Sequence, residues 1–287
     1  MIKNFFNISE LTYDNIFTIL NLNSNSNVLK NKSIGLLFEK HSTRTRLSFS
    51  VGISKLGGNA IDIRFEELNF SRDESFEDTF LAMNCYLDGL IFRTNNHKKL
   101  VQASSFFKKP IINALSDISH PCQILSDLFT LKEHFGSLNH HILWMGDMNN
   151  VCFSLVEAVN LIKELKLTIC TPLKISNKKN WQLNSNINIV NNLEDLNLKL
   201  FNCVMTDVFI SMNDNENDEK LSSLKAYSIT SKIMSKTSPN CIFMHCLPAK
   251  VGLEVSEDVF RGSQSIVWKQ AANRMVTQQK LLKFIFQ

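Results

Sequence analysis

Two patterns of hydrophobic and polar residues alternate along this chain, one typical of strands and one typical of helices. Short apolar runs bounded by polar residues predict buried strands, and apolar residues at three- and four-residue spacing predict amphipathic helices. On this pattern we expect strands at 33–38, 60–63, 89–94, 109–114, 141–145, 167–170, 187–190, 203–206 and 241–244. Helices are expected between them, starting near Ser9, Thr43, Ser75, Pro121, Val151 and Ala271.

This alternation of strands and helices predicts an α/β fold. Because the alternation restarts at residue 141 and 287 residues suffice for two cores, we expect two domains. Each is expected to be a mainly parallel sheet flanked by helices, with an active-site cleft between the domains. The expected limits are 1–133 and 134–269, with the helix at 270–287 packing back on the first domain.

The segment after the first strand predicts a capped helix. Ser42 and Thr43 are suited to cap it, because their hydroxyls can accept hydrogen bonds from backbone N–H groups of the first turn. Apolar residues then follow at helical spacing until two glycines end the pattern, at positions Phe49, Ile53, Leu56, Gly57 and Gly58. The helix therefore begins at the two hydroxyl residues.

The first turn of this helix carries the opposite charge to the one expected. Arg44 and Arg46 stand where the helix dipole favours an anion and where a carboxylate is the usual residue. Free backbone N–H groups, two hydroxyls and two guanidinium groups are together the components of a phosphate site. The alternative is an ordinary capped helix with two solvated arginines, since short motifs also occur by chance.

Polar residues recur where later strands end, and in an open α/β sheet ligands bind at that edge. Arg93 closes one strand, although it is equally well interpreted as a surface arginine. His120 and Gln123 flank Pro121 at a helix start, where a histidine is more often a cap or a core residue than a catalyst. Three further polar positions follow strands of the second half, at Asn150, Asp207 and Cys246.

Composition excludes several classes of function. The net charge is +4 with no block of Lys or Arg, which does not predict nucleic-acid binding. The N-terminus lacks a signal-peptide core and no apolar run reaches the ~20 residues of a membrane helix, so we expect neither a membrane partner nor export. Seven cysteines without a C-x-x-C pair indicate no disulfide framework and no zinc site, and they favour a reducing cytoplasm.

Cofactors are not predicted either. The turn at Gly146–Asn150 follows a predicted strand but lacks the glycine spacing of a dinucleotide fingerprint, which disfavours nicotinamide and flavin.

Seven short motifs in order then identify a family. The sequence resembles the carbamoyltransferases, and within them the ornithine carbamoyltransferases, over essentially its whole length. Each motif is modest alone, but their common order is specific. They are S-T-R-T-R at 42–46, R-T at 93–94, H-P-C-Q at 120–123, G-D-x-N-N at 146–150, D-x-x-x-S-M at 207–212, H-C-L-P at 245–248 and A-N-R at 272–274.

This resemblance implies transfer of a carbamoyl group from carbamoyl phosphate to the side-chain amine of L-ornithine, giving citrulline and phosphate without cofactor or metal. It implies that the first domain binds carbamoyl phosphate and the second binds ornithine. The positions matching carbamoyl phosphate contacts are Ser42, Thr43, Arg44, Thr45, Arg93, His120, Gln123, Cys246, Leu247 and Arg274. Those matching ornithine contacts are Asn150, Asp207, Ser211 and Met212.

The residue types agree with this chemistry. Arg93, His120 and Thr45 can polarise a carbonyl, while arginines balance the charge of a leaving phosphate. Asp207 and Cys246 are the candidates for proton transfer from the amine, and the choice between them stays open. We thus expect Arg93, His120, Asp207 and Cys246 to be catalytic.

The sequence departs from the family pattern in three segments. His41 replaces the usual proline before the phosphate helix, and Asn213 replaces the glycine that normally follows S-M. Asn tolerates a left-handed backbone better than most residues, so this loop can survive the change. Relatives often carry a glutamine ahead of the helix at 75–83, whereas this chain has Asn69, Phe70 and Ser71 there, and no contact is assigned to them.

Two alternatives stay open. The enzyme could carbamoylate another amine, such as aspartate or an N-acylated ornithine, or the chain could be an inactive carbamoyltransferase-like binding or regulatory protein. The H-C-L-P and D-x-x-x-S-M motifs favour free ornithine, and the complete phosphate motif speaks against inactivity. The resemblance also implies a homotrimer or a multiple of trimers, and a role in arginine biosynthesis is favoured over a degradative one.

Overall fold

The computed structural model of the chain describes residues 3–68, 73–177, 180–210 and 218–287. It divides into two compact units, Met1–Phe129 with Asn273–Gln287, and Thr130–Ala272. Each unit is built on a parallel sheet flanked by helices, which confirms the predicted α/β class. The cleft expected between the domains stays a prediction.

The first unit contains, in its described part, a four-stranded parallel sheet in the order β2-β1-β3-β4. Phe38 at the end of β1 pairs with Arg93 at the end of β3, so the segments that follow these two strands start at the same edge of the sheet. The strands are β1 (Ser33–Phe38), β2 (Asn59–Arg64), β3 (Gly89–Arg93) and β4 (Ile111–Leu115).

Five helices begin within the described part of this unit. They are α1 (Tyr13–Asn21), α2 (Thr43–Lys55), α3 (Phe76–Tyr86), α4 (His97–Phe106) and α5 (Pro121–Phe135). Phe80 and Phe92 lie in its core, which fixes α3 against β3.

Two details differ from the sequence predictions for this unit. The first helix starts at Tyr13 and not near Ser9, because Thr12 and Asn15 form a reciprocal capping box and residues Ile8–Glu10 form a separate short turn. Helix α4 was not predicted, since its start is polar and its buried apolar positions are only Leu100 and Ala103.

Among its described residues, the second unit contains a five-stranded parallel sheet in the order β7-β6-β5-β8-β9. The strands are β5 (His141–Met145), β6 (Lys166–Cys170), β7 (Ile187–Val190), β8 (Cys203–Thr206) and β9 (Ile242–His245). The helices are α6 (Asn150–Leu161), α7 (Leu173–Ser176), α8 (Asp218–Leu224), α9 (Ser231–Met234), α10 (Glu257–Phe260) and α11 (Val267–Phe286).

The last helix starts earlier than predicted. Helix α11 begins at Val267, which places Asn273 and Arg274 in its second turn and not its first. From Asn273 onward its residues belong to the first unit. Among the described residues no helix is both long and apolar enough to cross a membrane.

Candidate active site

The start of α2 leaves its backbone donors available. Ser42 has an extended backbone before the helix, but its side chain makes no capping hydrogen bond. Thr43 and Arg44 are exposed, whereas Thr45 is buried within the first turn. Because the first N–H groups of a helix have no partner within it, this terminus can accept an anion.

The side chain of Arg46, in contrast, is already paired within the protein. Its guanidinium forms an ion pair with Asp62 on β2 and lies over the ring of Phe38, 4.9 Å from the ring centre. The interpretation of the first turn as a pair of arginines facing one anion is therefore corrected for Arg46. Arg44 is the exposed cation of this turn.

Two buried arginines lie in the first unit. Arg93 ends β3 and Arg274 lies on α11, and their exposed fractions are only 4% and 3%. The Arg274 guanidinium donates a hydrogen bond to Thr45 Oγ1 at 2.7 Å, although 229 positions separate the two residues. This contact brings the last helix to the start of α2.

His120 lies in the field of both arginines. It is 4% exposed, and burial, the charge of Arg274 and the charge of Arg93, in that order, hold its pKa well below the ordinary 6.5. The imidazole is therefore neutral near pH 7. A neutral imidazole can donate one N–H to a carbonyl oxygen without bringing a third positive charge.

We expect the lowered pKa of His120 to make the free energy of unfolding depend on pH. A folded-state pKa below the unfolded value contributes stability that is complete above pH 6.5 and is lost as pH falls below it, by at most about 1.4 kcal/mol per pH unit. The variant His120→Gln is expected to lose less free energy of unfolding than wild type between pH 6.5 and pH 5. Urea denaturation at several pH values measures this difference, and parallel curves would contradict it.

Two hydrogen-bond networks hold the segments that carry these residues. Glu39, directly after β1, accepts from Thr94 Oγ1 at 2.6 Å and from the Asn95 N–H at 3.0 Å, and it pairs with Lys99 at 2.5 Å. Glu39 thereby fixes the chain that follows Arg93. The sequence analysis missed Glu39, although its position at a strand end was a usable signal.

Asn113 holds the turn before His120. It is fully buried on β4, and its Nδ2 donates to the Phe6 carbonyl oxygen and to Ser119 Oγ, both at 2.9 Å. Gln123 follows in the first turn of α5, where its backbone N–H donates to the His120 carbonyl oxygen at 3.1 Å. The sequence prediction that His120 and Gln123 share a helix start is confirmed in this respect.

Asp207 is the centre of the polar cluster in the second unit. It directly follows β8 and is 7% exposed. The Cys246 thiol donates to its Oδ1 at 2.7 Å, and Asn149 Nδ2 donates to its Oδ2 at 2.7 Å. Both carboxylate oxygens are thus held by neighbours within the same unit.

The sequence analysis named Asn150 as a candidate site residue and did not name its neighbour Asn149. The Asn149 side chain caps α6 by accepting from the Val151 and Cys152 N–H groups, and it also donates to Asp207. Asn150 is the half-buried first residue of α6. The preference of asparagine for the position before a helix was the signal that could have identified Asn149.

The H-C-L-P segment is ordered by His245. Its Nδ1 accepts from the Leu247 N–H at 2.9 Å, and its Nε2 lies 3.4 Å from Oε1 of the fully buried Glu254. Cys246 between them is 8% exposed. Glu254 thus lies beside His245, and the imidazole holds the backbone next to Cys246 through the Leu247 N–H.

Ligand atoms of Asp207, His245 and Cys246 lie within 4.8 Å of one another, as the donors of a metal site would. Each of the three already has a partner within the unit, since the carboxylate accepts from the thiol and the two imidazole nitrogens face Leu247 and Glu254. Asp207 and Cys246 are joined by a hydrogen bond, and the expectation of a metal-free enzyme stays a prediction.

Several positions singled out in the sequence have no described structure. Ser211, Met212 and Asn213 lie outside the described residues, as do Asn69, Phe70 and Ser71. His41 is described and exposed, one residue before Ser42.

Comparison with protein families assigns both halves of the chain. Residues 3–133 match the family model described as aspartate/ornithine carbamoyltransferase, carbamoyl-P binding domain. Residues 139–285 match the model described as aspartate/ornithine carbamoyltransferase, Asp/Orn binding domain. The second match includes the part of α11 that belongs to the first compact unit.

Individual relatives agree with these matches. The ornithine carbamoyltransferase of Aquifex aeolicus is 38% identical over 273 residues, 90% of this chain and 87% of that protein. The crystal structure of anabolic ornithine carbamoyltransferase from Campylobacter jejuni is similar with a TM-score of 0.88 and 30% identity, covering 99% of both chains. That of ornithine carbamoyltransferase from Thermus thermophilus gives 0.88 and 28% over 100% of both. The chain belongs to the aspartate/ornithine carbamoyltransferase family.

Proposed function

We propose that this protein transfers the carbamoyl group of carbamoyl phosphate to the side-chain amine of L-ornithine, giving L-citrulline and phosphate. The observation that carries the proposal is that the chain contains both kinds of group: the buried charges of Arg93 and Arg274 act on His120 in one unit, and a buried Asp207–Cys246 pair lies in the other. The relatives named ornithine carbamoyltransferase support the choice of substrates.

Carbamoyl phosphate is assigned to the first unit because its phosphate needs cations and donors together. The start of α2 offers backbone N–H groups, and Arg93 and Arg274 offer buried positive charge. The phosphate is assigned to the group Ser42, Thr43, Arg44, Thr45, Arg93 and Arg274. Positioning an already activated acyl donor supplies much of the rate, so no covalent intermediate is required.

The reaction proceeds by attack of the amine nitrogen on the carbonyl carbon. Arg93, Thr45 and the neutral His120 stabilise the negative charge that develops on the carbonyl oxygen. The bond from the carbonyl carbon to the phosphate oxygen then breaks, and phosphate leaves with the electron pair. The arginines balance the charge that grows on it.

Ornithine is assigned to the second unit. Asp207, Asn150, Ser211 and Met212 are its proposed contacts, with Cys246 and Leu247 beside the carbamoyl group. The amine must lose a proton to attack, and the base is Asp207 or Cys246. The thiol donates its hydrogen to the carboxylate, which favours Asp207 as the acceptor of the amine proton.

An amine panel tests this assignment. Purified protein is incubated with carbamoyl phosphate and L-ornithine, N-acetyl-L-ornithine or L-aspartate, and the carbamoylated product is measured. We expect product with ornithine, and product with another amine alone would contradict the proposal. Arg44→Ala is expected to raise the KM for carbamoyl phosphate about 10- to 100-fold, because it removes a charge-assisted contact to phosphate.

We further propose a homotrimer, or a multiple of trimers, that acts in arginine biosynthesis in the cytoplasm. The assembly rests on the resemblance to the family, and its mass in solution by light scattering tests it. The biosynthetic role is supported by the similar Campylobacter jejuni enzyme, which is named anabolic. The seven free cysteines suit a reducing compartment.

A further inference from the structure

We propose that Asp127 is a specificity-determining positioning residue of the donor site. By fixing the side-chain amide of Gln123, it makes the site select an acyl phosphate whose acyl group carries an N–H, and reject one that carries a methyl group. The inference rests on the proposed function, because it concerns how carbamoyl phosphate is distinguished from acetyl phosphate.

The two side chains form one buried pair on α5. Asp127 lies one helical turn after Gln123, and both are 1% exposed. Gln123 Nε2 donates to Asp127 Oδ1 at 2.9 Å. Because an ionised carboxylate can only accept hydrogen bonds, the amide atom that faces it must be the nitrogen. Asp127 therefore determines which end of the Gln123 amide faces the opposite way.

The end that faces away is an acceptor. Gln123 Oε1 is buried and, within the described part of the chain, has no hydrogen-bond partner. A buried acceptor without a donor is costly, so a ligand that brings a donor to this oxygen is favoured. The –NH2 of a carbamoyl group is such a donor, whereas the methyl of an acetyl group has no hydrogen to offer.

Gln123 begins the same helix as His120, a proposed catalytic residue of the first unit. Gln123 and His120 share the start of α5, and the charges of Arg93 and Arg274 act on His120. An acyl phosphate whose phosphate lies against these cations presents its acyl substituent to residues of the same cluster. We therefore expect the substituent to meet Gln123 Oε1, a buried acceptor at the same helix start.

Asparagine at position 127 would remove the constraint while conserving shape. Its amide can accept from Gln123 Nε2 or, turned around, donate to Gln123 Oε1. In the second arrangement Gln123 Nε2 faces the ligand, so its N–H meets the N–H of the carbamoyl group and no hydrogen bond forms. The variant Asp127→Asn is thus expected to reduce discrimination between the two ligands without altering the phosphate contacts.

The test uses two stable probes that differ only at the selected group. Phosphonoacetamide carries –NH2 where acetonylphosphonate carries –CH3, and both bind without reacting. We expect wild type to bind phosphonoacetamide about 10- to 100-fold more tightly in calorimetry. In Asp127→Asn this ratio is expected to fall to about threefold or less, with the affinity for inorganic phosphate unchanged within about twofold.

Two further variants make the result decisive. Asp14→Asn, a matched change at an exposed site on α1, is expected to keep the wild-type ratio. Gln123→Leu removes the amide and is expected to abolish the ratio, so it replaces Asp127→Asn if that variant fails to fold. A wild-type ratio retained in Asp127→Asn or in Gln123→Leu overturns the proposal, as does the absence of a preference in wild type.

Because these measurements contain no amine, they are independent of the acceptor. A preserved preference for phosphonoacetamide with no citrulline formation would contradict the proposed function and leave the role of Asp127 supported. Citrulline formation with no preference between the probes would support the proposed function and contradict the role of Asp127.

Discussion

Replacing Arg93 by alanine is expected to lower kcat/KM for carbamoyl phosphate by about 10³-fold or more. Arg93 is buried at the end of β3 and its charge acts on His120, so the variant loses a cation where negative charge develops. A buried cation cannot be replaced by water as an exposed one can, which is why the expected loss is large. Initial rates of citrulline formation at several carbamoyl phosphate concentrations measure it.

Arg64→Ala is the matched control for this variant. Arg64 also ends a strand, β2, but its side chain is 60% exposed and pairs at 3.4 Å with Glu67, so its removal is expected to leave the rate within about twofold. Arg93→Ala is also expected to raise the pKa of His120, since one of the two charges that lower it is lost. A rate within tenfold of wild type in Arg93→Ala would contradict the assigned role.

Asp207→Asn is expected to lower kcat by about 10²- to 10⁴-fold and to raise the KM for ornithine. The amide cannot accept a proton from the attacking amine, and it loses the negative charge that attracts the ammonium form. The Asn149 and Cys246 contacts are to a side chain of the same size, so the fold is expected to persist. Steady-state rates with ornithine as the varied substrate separate the two effects.

The control for this change is Asp195→Asn, a substitution of the same kind at an exposed position of the second unit. It is expected to leave both parameters unchanged. If Asp207→Asn altered only thermal stability and kept wild-type kcat and KM, Asp207 would be a structural residue and the second unit would need another acceptor group.

Strands were predictable because their signal is local. The runs at Ser33–Phe38, Ile187–Val190 and Cys203–Thr206 have the predicted limits, since each is a short apolar run between polar residues. Helix α2 also starts at the predicted residue, Thr43, although Ser42 does not make the capping hydrogen bond on which that prediction was based. Helix α4 was missed because the polar residues of its first turn obscure the helical spacing of its few apolar residues.

Contacts between distant positions were not predictable. The hydrogen bond from Arg274 to Thr45 and the ion pair of Arg46 with Asp62 depend on how the helices pack on the sheet. From the local sequence, Arg44, Arg46 and Arg274 are all interpreted as phosphate ligands. Only the packed structure separates Arg46, which has a carboxylate partner, from Arg274, which lies on Thr45.

Buried carboxylates were the other group that sequence reasoning missed. Glu39 directly follows a strand, Asp127 stands between Ser126 and Leu128 in a helix, and Glu254 stands between Leu253 and Val255. Acidic side chains are normally solvated, so none of the three was expected to be buried. In the structure Glu39 and Asp127 accept hydrogen bonds from Thr94 and Gln123, and Glu254 lies 3.4 Å from His245. Only Glu39, at a strand end, had a usable signal, because the sequence does not show whether an acid in a helix or a turn faces inward.

The most direct test of the account is the stoichiometry of the reaction. Wild-type protein with carbamoyl phosphate and L-ornithine is expected to release citrulline and phosphate in equal amounts, and to release neither at a comparable rate when ornithine is omitted. Phosphate released without citrulline, or no turnover in a protein that binds phosphonoacetamide, would contradict carbamoyl transfer to ornithine as the function of this chain.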